Sequence, residues 1–239
     1  MIYAKTFFDL QLDFATAVAA DTGLPLARAV LEYTNVYIRF GLGRAFDAAH
    51  PAWCEYTAGL AGARDRGDWT YRFYLARGPD PAPPDVVTTF GCFAYGTAGP
   101  GRIRLHFANA EAAGCSPLAV ERQGQRTAEL AALFGHVKRT ALESPVVVGA
   151  SWLYNLEGYR RLFPTSYLAT ARVLPGRFRH MPLWGQFVDR RGEVKDRPAR
   201  EFRERVSSRS GAPGLDECFP LQVLALEARA CEFHDFLGI

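Results

Sequence analysis

Residues 120–164 read VERQGQRTAELAALFGHVKRTALESPVVVGASWLYNLEGYRRLFP, and their pattern indicates the fold class. A helix is predicted over residues 127–142, because its apolar residues recur at intervals of three and four: Leu130, Leu133, Phe134 and Val137. Pro145 ends this helix, and residues 146–155 are apolar and β-branched, which is typical of a central strand. A short helix is predicted around residues 159–163. The stretch therefore predicts a helix, a buried strand and a second helix in succession.

On the amino-terminal side, apolar residues at helical spacing predict helices over residues 10–64, one of them starting at Pro51. From residue 68 the period changes to two. Three segments rich in aromatic and β-branched residues predict a three-stranded antiparallel meander: WTYRFYLAR (69–77), VVTTFGCFAYG (86–96) and RIRLHFAN (102–109). The proline-rich residues 78–84 between the first two predict a loop.

The carboxyl-terminal part predicts two further strands near residues 171–174 and 180–188, with a turn at 190–193. A basic helix or loop, a break at residues 207–214 and an apolar helix over 219–236 follow. The expected fold is α/β (α+β), with a mixed, mostly antiparallel central sheet flanked by helices. One domain, 1–239, is expected, consisting of a helical part (1–66), a sheet core (67–190) and an extension with a closing helix (191–239).

Composition narrows the class of protein. The 239 residues are 49% hydrophobic and 22% charged, which is typical of a folded chain and excludes wholesale disorder. The net charge of +3 is too small to indicate nucleic acid or membrane as a partner. Five cysteines without a CxxC pair predict free thiols, and with no signal-like start the expected location is the cytoplasm. No metal site is predicted, because the five histidines are scattered.

The predicted helix within residues 120–164 begins with a polar run: Arg122, Gln123, Gly124, Gln125 and Arg126. Backbone N–H groups at a helix start and nearby arginines favour a phosphate-bearing ligand.

The element order and this run resemble the GNAT superfamily of N-acyltransferases. Members of that family bind the pyrophosphate of acyl-CoA with an Arg or Gln, two residues, Gly, one residue, and Gly or Ala. Here the run is one residue shorter, and Arg126 replaces the second small residue. The resemblance implies that Arg122, Gly124, Gln125 and Arg126 bind acyl-CoA as a co-substrate and that the acceptor is a small amine.

The resemblance also implies catalytic residues. Asn155 and Tyr159 are similar in type and order to an Asn at the end of the family's fifth strand and a Tyr on the next helix, and the Tyr serves as general acid to the departing thiolate. Gly149 is interpreted as a strand bulge that frees a backbone N–H for the oxyanion, or as a close packing contact. Glu121 and His106 are candidate bases; the alternatives are a surface carboxylate and a sheet histidine.

Two other functions stay open. The segment VVVGAS resembles the strand before the nucleophile of α/β-hydrolases, which would make Ser151 a nucleophile with Asp216 and His234, although Leu153 occupies the position of the second glycine. The second alternative is a non-catalytic binding protein on a GNAT-like scaffold.

Overall fold

The computed structural model describes residues 2–77, 86–111, 116–140, 144–209 and 214–239. The chain divides into two compact units. The helical unit comprises Met1–Ala82 and Pro175–Gln222, and the sheet unit comprises Pro83–Leu174 and Val223–Ile239. The sheet unit is therefore built from two separate stretches of the chain, and the helical unit is completed by the segment between them.

Seven of the described helices belong to the helical unit: α1 (Lys5–Thr22), α2 (Leu26–Tyr33), α3 (Val36–Arg39), α4 (Pro51–Gly62), α5 (Arg66–Arg77), α9 (Met181–Trp184) and α10 (Asp196–Ser208). Four belong to the sheet unit: α6 (Gln123–Thr140), α7 (Glu157–Arg160), α8 (Thr165–Ala169) and α11 (Ala230–Leu237). Aromatic rings fill part of the helical unit, where Phe14 of α1 contacts Trp184 and Phe202.

The sheet has six described strands: β1 (Thr88–Phe90), β2 (Phe93–Thr97), β3 (Arg102–Phe107), β4 (Val146–Ser151), β5 (Arg172–Val173) and β6 (Leu224–Arg229). Their order across the sheet is β1-β2-β3-β4-β6-β5. Only the β3–β4 pair is parallel among these strands; the other pairs are antiparallel. The expected α/β class with a mixed, mostly antiparallel sheet flanked by helices is confirmed.

The core of the sheet unit lies on one face of the sheet. Leu130, Phe134 and the other apolar residues of α6 pack there against Ile103 and Val147, together with residues of α7, α8 and α11. Side chains alternate between the two faces of a strand, so in β3 residues 103, 105 and 107 face this core. We call the other side of the sheet the open face.

Several expected elements are confirmed. The apolar pattern of the amino-terminal region forms α1 to α4, and α4 begins at Pro51 as predicted. The helix expected over 127–142 is α6, which starts four residues earlier, and the strand expected at 146–155 is β4, followed by a 3₁₀ turn at Trp152–Asn155. The loop predicted at residues 78–84, the end of the predicted helix at 141–142 and most of the predicted break, 210–213, lie outside the described residues.

Three strand or helix predictions were wrong. Residues 69–77 form α5 instead of a strand, because Thr70, Phe73 and Tyr74 bury one helical face. Residues 180–188 form α9 and a 3₁₀ turn, where a proline occupies the helix start. Residues 219–236 contain β6 and then α11, because alternating residues extend the sheet before the helix begins.

The meander itself has three antiparallel strands, but its first two come from one predicted strand. Residues 86–96 divide into β1 and β2 at a turn over Gly91 and Cys92. Gly91 has a φ of 58°, a left-handed conformation that glycine adopts without strain. The glycine at position 91, inside a segment of alternating polarity, could therefore have indicated a tight hairpin.

Candidate functional site

The register pairing of the two parallel strands at the centre of the sheet ends before their carboxyl ends. Their register pairs are Arg102 with Val146, Ile103 with Val147 and Arg104 with Val148. Beyond this point residues 105–107 of β3 pair with β2, and residues 149–151 of β4 pair with β6. We call residues 105–107 and 149–151, which follow the last parallel register pair on each strand, the strand opening.

Helix α6 starts at the same end of the sheet as the strand opening. It is the crossover between β3 and β4, and because these strands are parallel, the chain must return through α6 from the carboxyl end of β3 to the start of β4. A contact agrees with this direction: Glu129, in the second turn of α6, accepts a hydrogen bond of 2.9 Å from the backbone N–H of Cys92, just before β2. Ligands of open α/β sheets bind at such carboxyl ends.

The predicted phosphate run forms the beginning of α6. A 3₁₀ turn, Val120–Arg122, precedes the helix, and the N–H of Gln123 donates to the carbonyl of Val120. Gly124 therefore lies within the first turn of the helix and not in a loop before it. It is exposed, and a Cβ at this position would meet no other part of the protein within 4 Å. The surface above Gly124 is open to a ligand.

Arg126 is buried and engaged by acidic residues. Its Nη2 lies 2.6 Å from Glu111 Oε1 and 2.7 Å from Glu129 Oε1, and its Nη1 contacts the sulfur of Cys92. Only 1% of its side chain is exposed. A buried guanidinium needs such partners, so Arg126 holds the start of α6 against the β1–β2 turn. We call Arg126, Glu111, Glu129 and Cys92 the arginine cluster.

Two other residues of the run remain nearer the surface. The Nη1 of Arg122 donates to Gln125 Oε1 at 3.0 Å, and its Nη2 lies 3.8 Å from Glu111. Arg122 is 38% exposed, so its guanidinium borders solvent. The structure thus brings Arg122, Gln125 and Arg126 together around shared carboxylates. The sequence analysis did not predict the role of those carboxylates. The spacing of Glu129, three residues after Arg126 on the same helix, could have indicated an ion pair between them.

Gly149 does not form a bulge, so that interpretation was wrong. Its strand pairs with β6 in an unbroken register from Val146 to Ser151. A Cβ at Gly149 would overlap the hydroxyl oxygens of Tyr154 and Tyr167, and it would lie 2.8 Å from the Cζ of Tyr154. The glycine is a close packing contact, which was the alternative interpretation.

Tyr159 lies in the core, beside those two tyrosines. Tyr154 and Tyr167 share a hydrogen bond of 2.8 Å between their hydroxyls, and the ring of Tyr159 lies 5.0 Å from that of Tyr154. Tyr159 is 2% exposed. Burial raises the pKa of Tyr159 well above its usual value near 10, and the neighbouring Tyr154 adds to the increase. We call Tyr154, Tyr159 and Tyr167 the tyrosine cluster.

The remaining predicted site residues lie on separate elements. Glu121 is exposed on the 3₁₀ turn before α6. His106 is half-buried on β3 and, by alternation, belongs to the open face. Asn155 is exposed after β4, and its Nδ2 donates to the carbonyl of Trp152 at 2.8 Å.

The proposed hydrolase residues are not assembled into a triad. Ser151 has extended backbone (φ −162°), and its Oγ accepts a hydrogen bond of 3.1 Å from the N–H of Leu153. A nucleophile elbow requires a sharp, strained turn instead. Ser151 pairs with Leu224, whereas His234 is on α11, which begins beyond the opposite end of β6, about 17 Å along the strand. Asp216 belongs to the helical unit.

Each unit also has a surface concavity. An apolar cleft of about 420 Å³ in the sheet unit is lined by Val87, Tyr95, Ile103, His136, Val137 and Thr140. It lies toward the carboxyl end of α6, away from the strand opening. An open groove of about 1070 Å³ in the helical unit runs beside Trp69 between α4 and α5.

Within the ranges described above, no three His, Cys, Asp or Glu side chains converge in a way that could hold a metal ion. Over the same ranges, no single helix has the length and apolar composition to cross a membrane, although α1 and α2 together, bent by 120°, pass that test. No protein-family model, no curated protein and no solved structure matches this chain.

Proposed function

We propose that this protein transfers an acyl group from acyl-CoA or a carrier-bound thioester to a small amine. One observation carries the proposal: the register pairing of the parallel strands β3 and β4 ends at Arg104 and Val148, at the end of the sheet where α6 begins. The resemblance to the GNAT superfamily rests on element order: in the sheet unit three antiparallel strands, a helix, a strand, two helices and the strands β5 and β6 follow one another, with α9 and α10 of the helical unit between the last two strands.

The strand opening suits the arm of an acyl thioester. The pantetheine arm of CoA is extended and carries amide groups, which can hydrogen-bond to the exposed edges of strands. Residues 105–107 and 149–151 provide such edges in the proposal. The arm would lie between β3 and β4 as a partial additional strand.

The beginning of α6 suits the phosphates of the same donor. The amino-terminal end of a helix carries a partial positive charge, and Arg122 adds a full one. Gly124 leaves the approach open. In this proposal Arg122, Gly124 and Gln125 contact the phosphates, while Arg126 is a positioning residue that holds the helix start in place through the arginine cluster.

The chemistry requires the amine nitrogen to attack the thioester carbonyl carbon, with loss of the amine proton and cleavage of the carbon–sulfur bond. Glu121 and His106 are the proposed acceptors of that proton. The pKa of Tyr159 is raised well above that of a thiol, about 8.5, so a proton transfer from Tyr159 to the departing thiolate is uphill. We therefore assign the tyrosine cluster to supporting β4 at Gly149, and the thiolate leaves into solvent.

A matched pair of variants tests donor binding. Gly124→Glu places a bulky negative charge at the proposed phosphate contact, and Gly135→Glu makes the same change on the same helix, about 16 Å away. Acetyl-CoA at 100 times its dissociation constant should stabilise the wild-type protein by about 2.7 kcal/mol in thermal unfolding. We expect Gly135→Glu to keep this stabilisation and Gly124→Glu to lose it. Equal stabilisation of both variants would remove the start of α6 from the proposal.

A non-catalytic binding protein is the second candidate. The observation that favours it is that Arg126 and Tyr159, expected to touch the donor, are both buried in the protein interior. Stabilisation by acetyl-CoA without release of free thiol, across a panel of primary amines, would support this second function.

A further inference from the structure

The open face of the sheet carries a group of arginines. In the described part of the sheet unit, α6, α7, α8 and α11 all contribute to the core on the other face. Strand alternation and the register place these charged residues on the open face: Arg102, Arg104, Arg172, Glu227 and Arg229. All five are exposed. Valine and alanine occupy the strand positions between them, so no large side chain separates these charges.

The register fixes the arrangement of these charges. Arg102 and Arg229 flank Val146, and one level further along Arg104 and Glu227 flank Val148. Arg102 Nη2 lies 2.6 Å from Glu227 Oε2, so one arginine is paired. From β3 to β5 the group crosses three strand spacings, about 14 Å. This distance exceeds the width of one small anion and suits contact with the surface of a macromolecule.

We propose that the open face docks an acidic protein. Four arginines against one glutamate leave three positive charges on this face, and the planar guanidinium pairs with carboxylates through two parallel hydrogen bonds. A second copy of the chain would bring a net charge of +3, which does not complement this face.

The composition of the face favours protein over nucleic acid. Single-stranded nucleic acids bind through aromatic side chains on which bases stack. None of the described strand positions on this face carries Phe, Tyr or Trp. This inference concerns a partner and does not depend on acyl transfer.

Fluorescence anisotropy with a labelled ten-residue glutamate-rich peptide tests the proposal on the full chain. The test variant is Arg104→Glu with Arg172→Glu, and the control is Arg139→Glu with Arg160→Glu, which changes the net charge equally on helices of the core side. We expect about a tenfold weaker affinity for the test variant and less than about a threefold change for the control. Added salt should weaken binding of the wild-type protein.

A second variant, Arg104→Gln with Arg172→Gln, keeps the measurement interpretable if the charge reversals disturb folding, and we expect it to weaken binding in the same direction. Equal losses in test and control variants would overturn the proposal, because net charge alone would explain them. Tighter binding of a labelled oligothymidine than of the peptide, lost in the same test variant, would assign the face to nucleic acid instead.

Discussion

Replacing Gly149 by alanine tests how the tyrosine cluster supports β4. The new methyl group would overlap the hydroxyls of Tyr154 and Tyr167 and lie 2.8 Å from a ring carbon, whereas carbon atoms pack at about 3.5–4.0 Å. Both tyrosines are fully enclosed, so neither ring has free space into which to move. The substitution must therefore displace both rings or bend the strand.

The expected loss follows from these contacts. Overpacking a core costs about 1–3 kcal/mol, and breaking the hydrogen bond between Tyr154 and Tyr167 adds about 1 kcal/mol. The lower entropy of alanine in the unfolded chain offsets about 0.4–1 kcal/mol. We expect a net loss of about 1–3 kcal/mol, which lowers the midpoint of thermal unfolding by about 3–10 °C for a chain of this size.

A double variant separates the hydroxyl overlap from a general effect on the strand. Gly149→Ala combined with Tyr154→Phe removes one of the overlapping oxygens, so its loss should be smaller than the sum of the two single losses by about 1 kcal/mol. Gly124→Ala is the control, because its Cβ meets open space, and it should stabilise the protein by about 0.5–1 kcal/mol. An unchanged or higher midpoint for Gly149→Ala would refute this packing argument.

Two further predictions concern charged groups. Arg126→Met leaves two partly buried carboxylates without their guanidinium and should cost about 3 kcal/mol in urea unfolding. Arg122→Met, at a half-exposed site, should cost less than about 1 kcal/mol. Similar losses in the two variants would contradict the buried role of Arg126. Burial, and to a smaller extent the charge of Lys138, lower the pKa of His234 below its ordinary value near 6.5. The stability that neutral His234 contributes is therefore complete above about pH 6.5, and it declines as the pH falls through the folded pKa. NMR titration should show this lower pKa and a rise toward 6.5 in Lys138→Met; a pKa at or above 6.5 in the wild-type protein would contradict it.

Local patterns in the sequence predicted part of the fold. The helical spacing of Leu130 and Phe134 and the β-branched run at Val146 correctly indicated α6 and β4, the helix and strand that border the strand opening. The aromatic-rich segment that forms α5 was wrongly predicted to be a strand. The preference of aromatic residues for strands mostly reflects their packing on a half-buried surface, and a helix can provide the same surface.

The candidate site was less predictable because its contacts join residues distant in the chain. Arg126 meets Glu111, fifteen positions before it, and Gly149 meets the hydroxyl of Tyr167, eighteen positions after it. Where the β3–β4 pairing ends depends on how each strand pairs with its outer neighbour, which no local pattern records. For this reason the sequence predicted Arg126 to be a ligand-binding residue and could not distinguish a bulge from a packing contact at Gly149.

Hydrogen exchange of backbone amides with and without acetyl-CoA is the sharpest test of a thioester site at the strand opening, because it locates the donor whatever amine is the acceptor. We expect slower exchange in residues 105–107 and 149–151 and in the first turn of α6, with little change in the helical unit. Protection confined to the cleft beside His136, or to the helical unit, would contradict a thioester site at the strand opening.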